Sequence, residues 1–129
     1  MEVRKTLSFK DYLAGAVLAN SLAWLVLGIA PFFDADSLTL VRLLFLAYVS
    51  GAVIAGYLIA RKALQNHMKI GLKVGLGAFI FHIYAFMGII ELITGERMLN
   101  LLDHLLILAI FIAGGVVGAL LCQRLHQEK

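Results

Sequence analysis

Long apolar runs separated by short polar segments dominate the pattern of this chain. The runs cover about residues 12–33, 38–60, 70–94 and 101–122. Each has the ~20 apolar residues that an α-helix needs to cross about 30 Å of hydrocarbon. Together with short connecting loops they use nearly all of the 129 residues. The pattern therefore predicts an all-α, polytopic membrane four-helix bundle, with residues 1–129 forming a single four-transmembrane-helix domain.

Polar residues at the ends of these runs fit helix-capping signals. The first run follows Ser8–Asp11, which has the S-x-x-D form of a capping box. The acidic turn Asp34–Ser37 offers N-cap oxygens to the second helix, and Asn100 with Asp103 offers them to the fourth. Gly95 suits the end of the third helix because glycine adopts the left-handed conformation freely.

Composition and charge add an orientation. Apolar residues make up 62% of the chain and charged residues 15%, against about 45–50% and about 25% in soluble domains. Apart from Arg42 and Arg97, every lysine and arginine lies in segments 1–10, 61–73 or 124–129, on one side of the predicted bundle. The positive-inside rule makes that side cytoplasmic, so we expect both termini of this cell-membrane protein there. The net charge of +3 then reports topology, and we expect no nucleic-acid partner.

Two stretches of small residues resemble each other. Gly51-x-x-x-Ala55-Gly56 in the second helix and Gly114-x-x-x-Gly118-Ala119 in the fourth are offset by 63 residues, and an arginine follows each at the same spacing. This offset is typical of a tandem repeat of two helical hairpins in the same orientation. Such motifs also recur by chance, because many membrane helices combine small residues with a basic flank.

Small residues also predict where helices touch. Lipid is as apolar as leucine, so helix association in a bilayer depends on close approach through small side chains. On the third helix Gly71, Gly75 and Ala78 share one stripe with His82. The candidate packing residues are Gly51, Ala55, Gly71, Gly75, Gly114 and Gly118.

A polar site is predicted near the middle of the bundle, formed by Asn20, Tyr48, Ser50 and His82. An ionisable side chain at this depth is a functional-site hypothesis because its burial is costly. The alternative is a neutral imidazole that only ties helices together. We expect Asn20 and His82 to pair, or each to bond Tyr48 or Ser50.

A second cluster is predicted near the outer helix ends, formed by Arg42, Glu91, Asp103 and His104. Arg42 could pair with Glu91 or Asp103, or the cluster could bind an anion or a quinone from the outer side. His104 lies about seven residues from its helix midpoint, which predicts ~10 Å between its level and that of His82. Haem held by two histidines of one chain is therefore disfavoured, and we expect no cofactor and no metal.

Glycine-rich runs give a resemblance. Gly51-Ala-Val-Ile-Ala-Gly-Tyr-Leu, the entry to the third helix with Gly71, Gly75 and Gly77, and Gly114-Gly115-Val-Val-Gly118 resemble uncharacterised small four-helix membrane-protein families of archaea and bacteria. The resemblance implies a fold and no activity. The asparagine and TTFS-type signatures of four-helix fluoride channels are absent, as is the helix-one glutamate of small multidrug transporters.

Three functional readings follow. The first is a non-catalytic packing or accessory subunit that contacts the lipid bilayer and associates with itself or with other membrane subunits. The second is a small oligomeric channel or transporter with a midplane site at Asn20, Tyr48 and His82. The third is a haem- or quinone-binding redox anchor. No recognisable catalytic set is present, so we expect no enzyme.

Overall fold

The described part of the chain is entirely helical. The structure, a computed structural model, describes residues 7–34, 36–63, 66–85, 95 and 100–127. These residues form four α-helices that are long and apolar enough to cross a membrane, which confirms the predicted all-α, four-helix fold. The elements are α1 (Phe9–Ile29), a turn of 3-10 helix (Ala30–Phe32), α2 (Ser37–Ala60), α3 (His67–Ala85) and α4 (Leu101–Gln127).

The helix bounds differ from the apolar runs at several ends. Helix α1 begins earlier than residue 12, since the Asp11 carboxylate accepts hydrogen bonds from the Ser8 N–H at 2.9 Å and the Ser8 hydroxyl at 3.2 Å. Helix α4 continues beyond residue 122 to Gln127. The predicted end of the third helix, residues 86–94, lies outside the described residues.

The predicted N-caps of α2 and α4 are confirmed. The Asp36 carboxylate accepts the Thr39 N–H at 2.8 Å. Hydrogen bonds from the Thr39 side chain and backbone hold the pKa of Asp36 below its ordinary value. The Asn100 side-chain oxygen accepts the Asp103 N–H at 2.9 Å, and the Asp103 carboxylate accepts the Asn100 N–H at 3.1 Å. Gly95 has a φ of +70°, in the left-handed region expected of it.

Contacts between helices give their directions. Gly51 of α2 lies against Ala19 of α1, and Gly15 of α1 lies against Ile59, so α1 and α2 are antiparallel. Helices α2 and α4 are parallel, because Gly114 lies against Ala52 and Gly118 lies further along, against the segment 53–57. The start of α1 and the ends of α2 and α4 therefore share one end of the bundle.

We call this end the basic end, because Arg61, Lys62 and Arg124 follow or close the helices there. A salt bridge between Lys62 Nζ and Asp11 Oδ1, 2.9 Å long, links the end of α2 to the start of α1. Helix α3 begins at His67, five residues after Lys62, and therefore also starts at the basic end. The opposite end of the bundle contains the last residues of α1 and the first residues of α2 and α4.

Small residues make up much of the core, together with a few large side chains such as Phe111 and Ile107, and many other large apolar residues face outward. Ala19, Ala23, Ala55 and Ala119 are fully buried. Large outward side chains are spread over every helix, and include Leu25, Leu46, Ile54, Ile80, Leu102, Leu106 and Leu121. An apolar exterior on four helices of spanning length is the arrangement that lipid solvates, since helices satisfy their own backbone hydrogen bonds. The four described helices thus have the length and the apolar surface that a multi-pass membrane protein needs.

Candidate functional site: a buried histidine pair

The most polar feature of the bundle interior is a hydrogen-bonded chain across three helices. His82 of α3 is completely buried. Its Nδ1 lies 3.0 Å from the hydroxyl of Tyr48 on α2, and its Nε2 lies 3.2 Å from Nδ1 of His104 on α4. Tyr48 is 1% exposed and His104 is 8% exposed. We call this set the Tyr48–His82–His104 chain.

Glycine contacts explain why the two histidines meet. Gly75 of α3 lies against the backbone of Phe111 on α4, and Gly71 lies against Gly115. Because α3 and α4 are antiparallel, seven residues onward from Gly75 and seven residues back from Phe111 reach the same level, two helical turns away. Those positions are His82 and His104. The packing of small residues at one end thus fixes the polar pair towards the other.

Aromatic rings surround the hydrogen-bonded Tyr48–His82–His104 chain. Tyr48 packs edge-on against His82, with ring centroids 5.2 Å apart, and against Phe111, with centroids 5.1 Å apart. The ring centroids of Phe79 and Phe111 each lie 6.1 Å from the ring centroid of His82. The imidazoles of His82 and His104 bond each other directly within this group of rings, so haem between the two histidines of one chain does not fit this arrangement.

The hydrogen bonds of the Tyr48–His82–His104 chain can run in either direction. In its neutral form each imidazole has one N–H donor and one acceptor. Tyr48 can donate to His82, which then donates to His104, or all these bonds can run in the opposite direction. If a proton is added, an imidazolium at His82 donates at both nitrogens, and the Tyr48 hydroxyl becomes an acceptor.

Asn20 is buried but does not join this chain. Its side-chain amide donates to the carbonyl of Ala16 at 2.8 Å and to that of Ala78 on α3 at 3.1 Å. The predicted Asn20–His82 pair is therefore wrong, because the Asn20 amide donates to backbone carbonyls and both ring nitrogens of His82 face other partners, Tyr48 and His104. The alternative expectation for His82, a bond to Tyr48, is what the structure has. Ser50 is exposed on the outer face of α2, away from the chain.

The outer residues are not brought together in the described part of the chain. His104 bonds His82, and Asp103 bonds Asn100. Arg42 is exposed, and the described residues contain one salt bridge, that of Lys62 with Asp11. Glu91 lies outside the described residues.

The expected ~10 Å between the levels of His82 and His104 is wrong. That expectation placed the midpoints of the predicted helices at one depth. Glycine contacts align α3 and α4 differently, with Gly75 beside Phe111.

The small residues singled out from the sequence lie at helix contacts within the chain. A Cβ at Gly51 would meet the Ala19 carbonyl, and one at Gly118 would meet the Val53 carbonyl. Gly71 and Gly75 face α4, Gly114 faces Ala52, and Ala55 is fully buried. Gly56 and Gly115, which were not singled out as packing residues, also meet backbone to backbone. We call the α2–α4 contact through Gly56, Gly114, Gly115 and Gly118 the glycine seam.

Comparison with known proteins gives no relative. No family model matches the chain, and no curated protein and no solved structure matches it either. The functional argument therefore depends on the chemistry of the site.

Proposed function

We propose that this chain is a non-enzymatic, multi-pass membrane protein whose working site is the Tyr48–His82–His104 chain, which takes up and releases one proton. The observation that carries the proposal is the pair of contacts made by the fully buried His82, 3.0 Å to Tyr48 and 3.2 Å to His104. Two imidazoles this close accept one added proton as a shared unit, since two positive charges in contact repel strongly.

The proposed orientation of the bundle determines which side of the membrane His104 faces. If the basic end is cytoplasmic by the positive-inside rule, with both termini there, His104 lies in the first turn of α4 at the outer end. It is the most exposed member of the chain, so protons would enter through it. Tyr48, midway along α2, is the inner end of the chain.

The glycine seam favours a proton-binding site over a channel through one chain. Between Tyr48 and the basic end, α2 and α4 meet backbone to backbone at Gly56 and Gly115 and again at Gly118 and Val53. Such contact leaves no room for a water-filled path between these two helices. A channel or transporter with a midplane site would then require further copies of the chain.

We propose that lipid and a second membrane chain are the partners. A proton at His82 would change how α2, α3 and α4 bond one another, and outward apolar side chains on the same helices could pass this change to another copy or another membrane subunit. The glycines that contact neighbouring helices inside the chain cannot also form that interface. The partner surface would therefore be the large apolar side chains of the exterior.

The test is histidine titration by NMR. Protein with ¹⁵N-labelled histidine is reconstituted in lipid nanodiscs, and the ring nitrogen shifts are followed with pH. We expect His82 and His104 to change together in one single-proton step. Tyr48→Phe should alter the tautomer of His82, and His104→Gln should leave His82 to titrate alone.

His67→Gln provides the matched control, because His67 begins α3 at the basic end and lies outside the chain. This variant should leave the shared step unchanged. Independent titration of the two rings, or rings that stay neutral throughout the range in which the bundle is folded, would contradict the proposal and favour a purely structural role.

A further inference from the structure

A groove lies between α1 and α2 at the basic end. Its volume is about 460 Å³. Ala14 and Leu18 of α1 and Leu58 and Ile59 of α2 form its apolar walls, and the two residues that follow α2, Arg61 and Lys62, complete its lining. The groove thus joins an apolar surface of spanning helices to a cationic end.

The two cations retain hydrogen-bond donors for a ligand. Lys62 gives one contact to Asp11, at 2.9 Å, and its side chain is 53% exposed. An ammonium group has three N–H donors, so two remain. Arg61 is exposed and forms no ion pair with any residue in the described part of the chain. Its guanidinium is a planar group with five donors, which suits a phosphate.

A second groove on the other side of α1 gives a contrast. It lies against α3, has a volume of about 370 Å³, and is lined by apolar and aromatic side chains that include Phe9, Leu13, Gly77 and Ile80. It has no charged lining residue among the described residues. Lipid tails can fill it, but it offers no basis for choosing among headgroups. Charge at one end distinguishes the groove between α1 and α2.

We propose that the groove between α1 and α2 binds one anionic phospholipid. The phosphate lies at Arg61 and Lys62, and an acyl chain runs along Ala14, Leu18 and Leu58. Basic pockets between transmembrane helices on the cytoplasmic side recognise anionic headgroups in this way. This site shares no residue with the Tyr48–His82–His104 chain, so either proposal can fail without the other.

The test is native mass spectrometry of the whole chain released from micelles with equal amounts of phosphatidylglycerol and phosphatidylcholine. We expect one phosphatidylglycerol to be retained with about a 30-fold preference, roughly what two cationic side chains at a lipid surface provide. The double variant Arg61→Gln/Lys62→Gln should reduce the preference to about equal binding. Lys69→Gln/Lys73→Gln removes the same charge from α3 and should keep the preference.

A second variant separates the groove from simple surface attraction. Ala14→Phe leaves every charge in place but fills the space for the acyl chain, so it should lower retention of phosphatidylglycerol severalfold. Unchanged retention in Ala14→Phe, or equal losses in the two glutamine double variants, would overturn the site. Displacement of the lipid by millimolar inorganic phosphate would also overturn it, since the anion alone would then suffice.

Discussion

Gly118 and Gly77 show how differently two glycines of the same bundle are placed. A methyl group at Gly118 would overlap the carbonyl oxygen of Val53 and approach the backbone nitrogen of Tyr57. A methyl group at Gly77 would have no heavy atom within 4 Å. Both are helical glycines, so their helix propensity is the same and their neighbours account for the difference.

This contrast gives a prediction for a matched pair of substitutions. Gly118→Ala should lower the free energy of unfolding by about 1–3 kcal/mol, because backbone atoms of α2 must move. Gly77→Ala should leave it unchanged or raise it by up to about 1 kcal/mol, since alanine is the better helix former. The measurement is loss of helical circular dichroism on titration with SDS. Equal effects of the two substitutions would show that the glycine seam is not closely packed.

At the scale of the helix, the starts of α2 and α4 are each set by a few neighbouring residues. Asp36 caps α2 through the Thr39 N–H, and Asn100 with Asp103 caps α4. These are local interactions between residues three apart, so they can be recognised without knowledge of the rest of the fold.

The cap of α2 should depend on pH. Hydrogen bonds from Thr39 depress the pKa of Asp36 below its ordinary value of 3.8. The folded state therefore binds the proton less readily than the unfolded state. The stabilisation by the carboxylate is fully present above pH 3.8 and is lost as the pH falls through the lower pKa of the folded state. The protection of the first-turn amides of α2 against hydrogen exchange, relative to the intrinsic exchange rate at each pH, should decrease over that range.

Two substitutions at Asp36 separate the effect of its negative charge from the effect of its hydrogen-bond acceptor. Asp36→Ala removes the acceptor and should give low protection of these amides at all pH values. Asp36→Asn keeps an oxygen for the Thr39 N–H but has no charge to titrate, so exchange should stay slow without the acid transition. If all three proteins exchange alike, Asp36 does not cap α2.

The alignment of one helix with another could not be predicted in the same way. His82 and His104 were expected at different levels, because the apolar runs alone suggested aligned midpoints. Their contact depends on where Gly75 meets Phe111, which is a relation between residues far apart in the sequence. The small residues indicated that α3 packs closely against a neighbour, but not which residue of which helix it would meet. The hydrogen bond of Asn20 to the Ala78 carbonyl of α3 could not be predicted for the same reason.

For the whole molecule, length and hydropathy were sufficient to predict four helices that are long and apolar enough to cross a membrane. The salt bridge between Lys62 and Asp11 joins the end of α2 to the start of α1, as expected when the two helices form a hairpin. Grooves beside α1 could not be predicted, because they arise from the relative positions of three helices. The side of the membrane that each end faces is a proposal from charge.

Two matched cysteine variants test that orientation. Phe9→Cys places a thiol at the basic end and Phe33→Cys places one at the opposite end, both at well-exposed positions, while the native Cys122 is buried. On intact cells an impermeant maleimide should label Phe33→Cys and should label Phe9→Cys only after permeabilisation. The reverse pattern would put His104 on the cytoplasmic side and reverse the direction from which protons reach it.

The glycine seam has a mechanical consequence for the bundle. Towards the basic end, contact between the backbones of α2 and α4 makes that half stiff, since atoms of the main chain cannot turn aside as side chains can. Beyond Tyr48, the contacts between α2 and its neighbours include the side-chain rings and hydrogen bonds of Tyr48, Phe111 and His104, and side chains can change rotamer. Strain introduced at His82 would therefore be relieved in the compliant half, and α2 would bend near Tyr48 while its far end stays fixed.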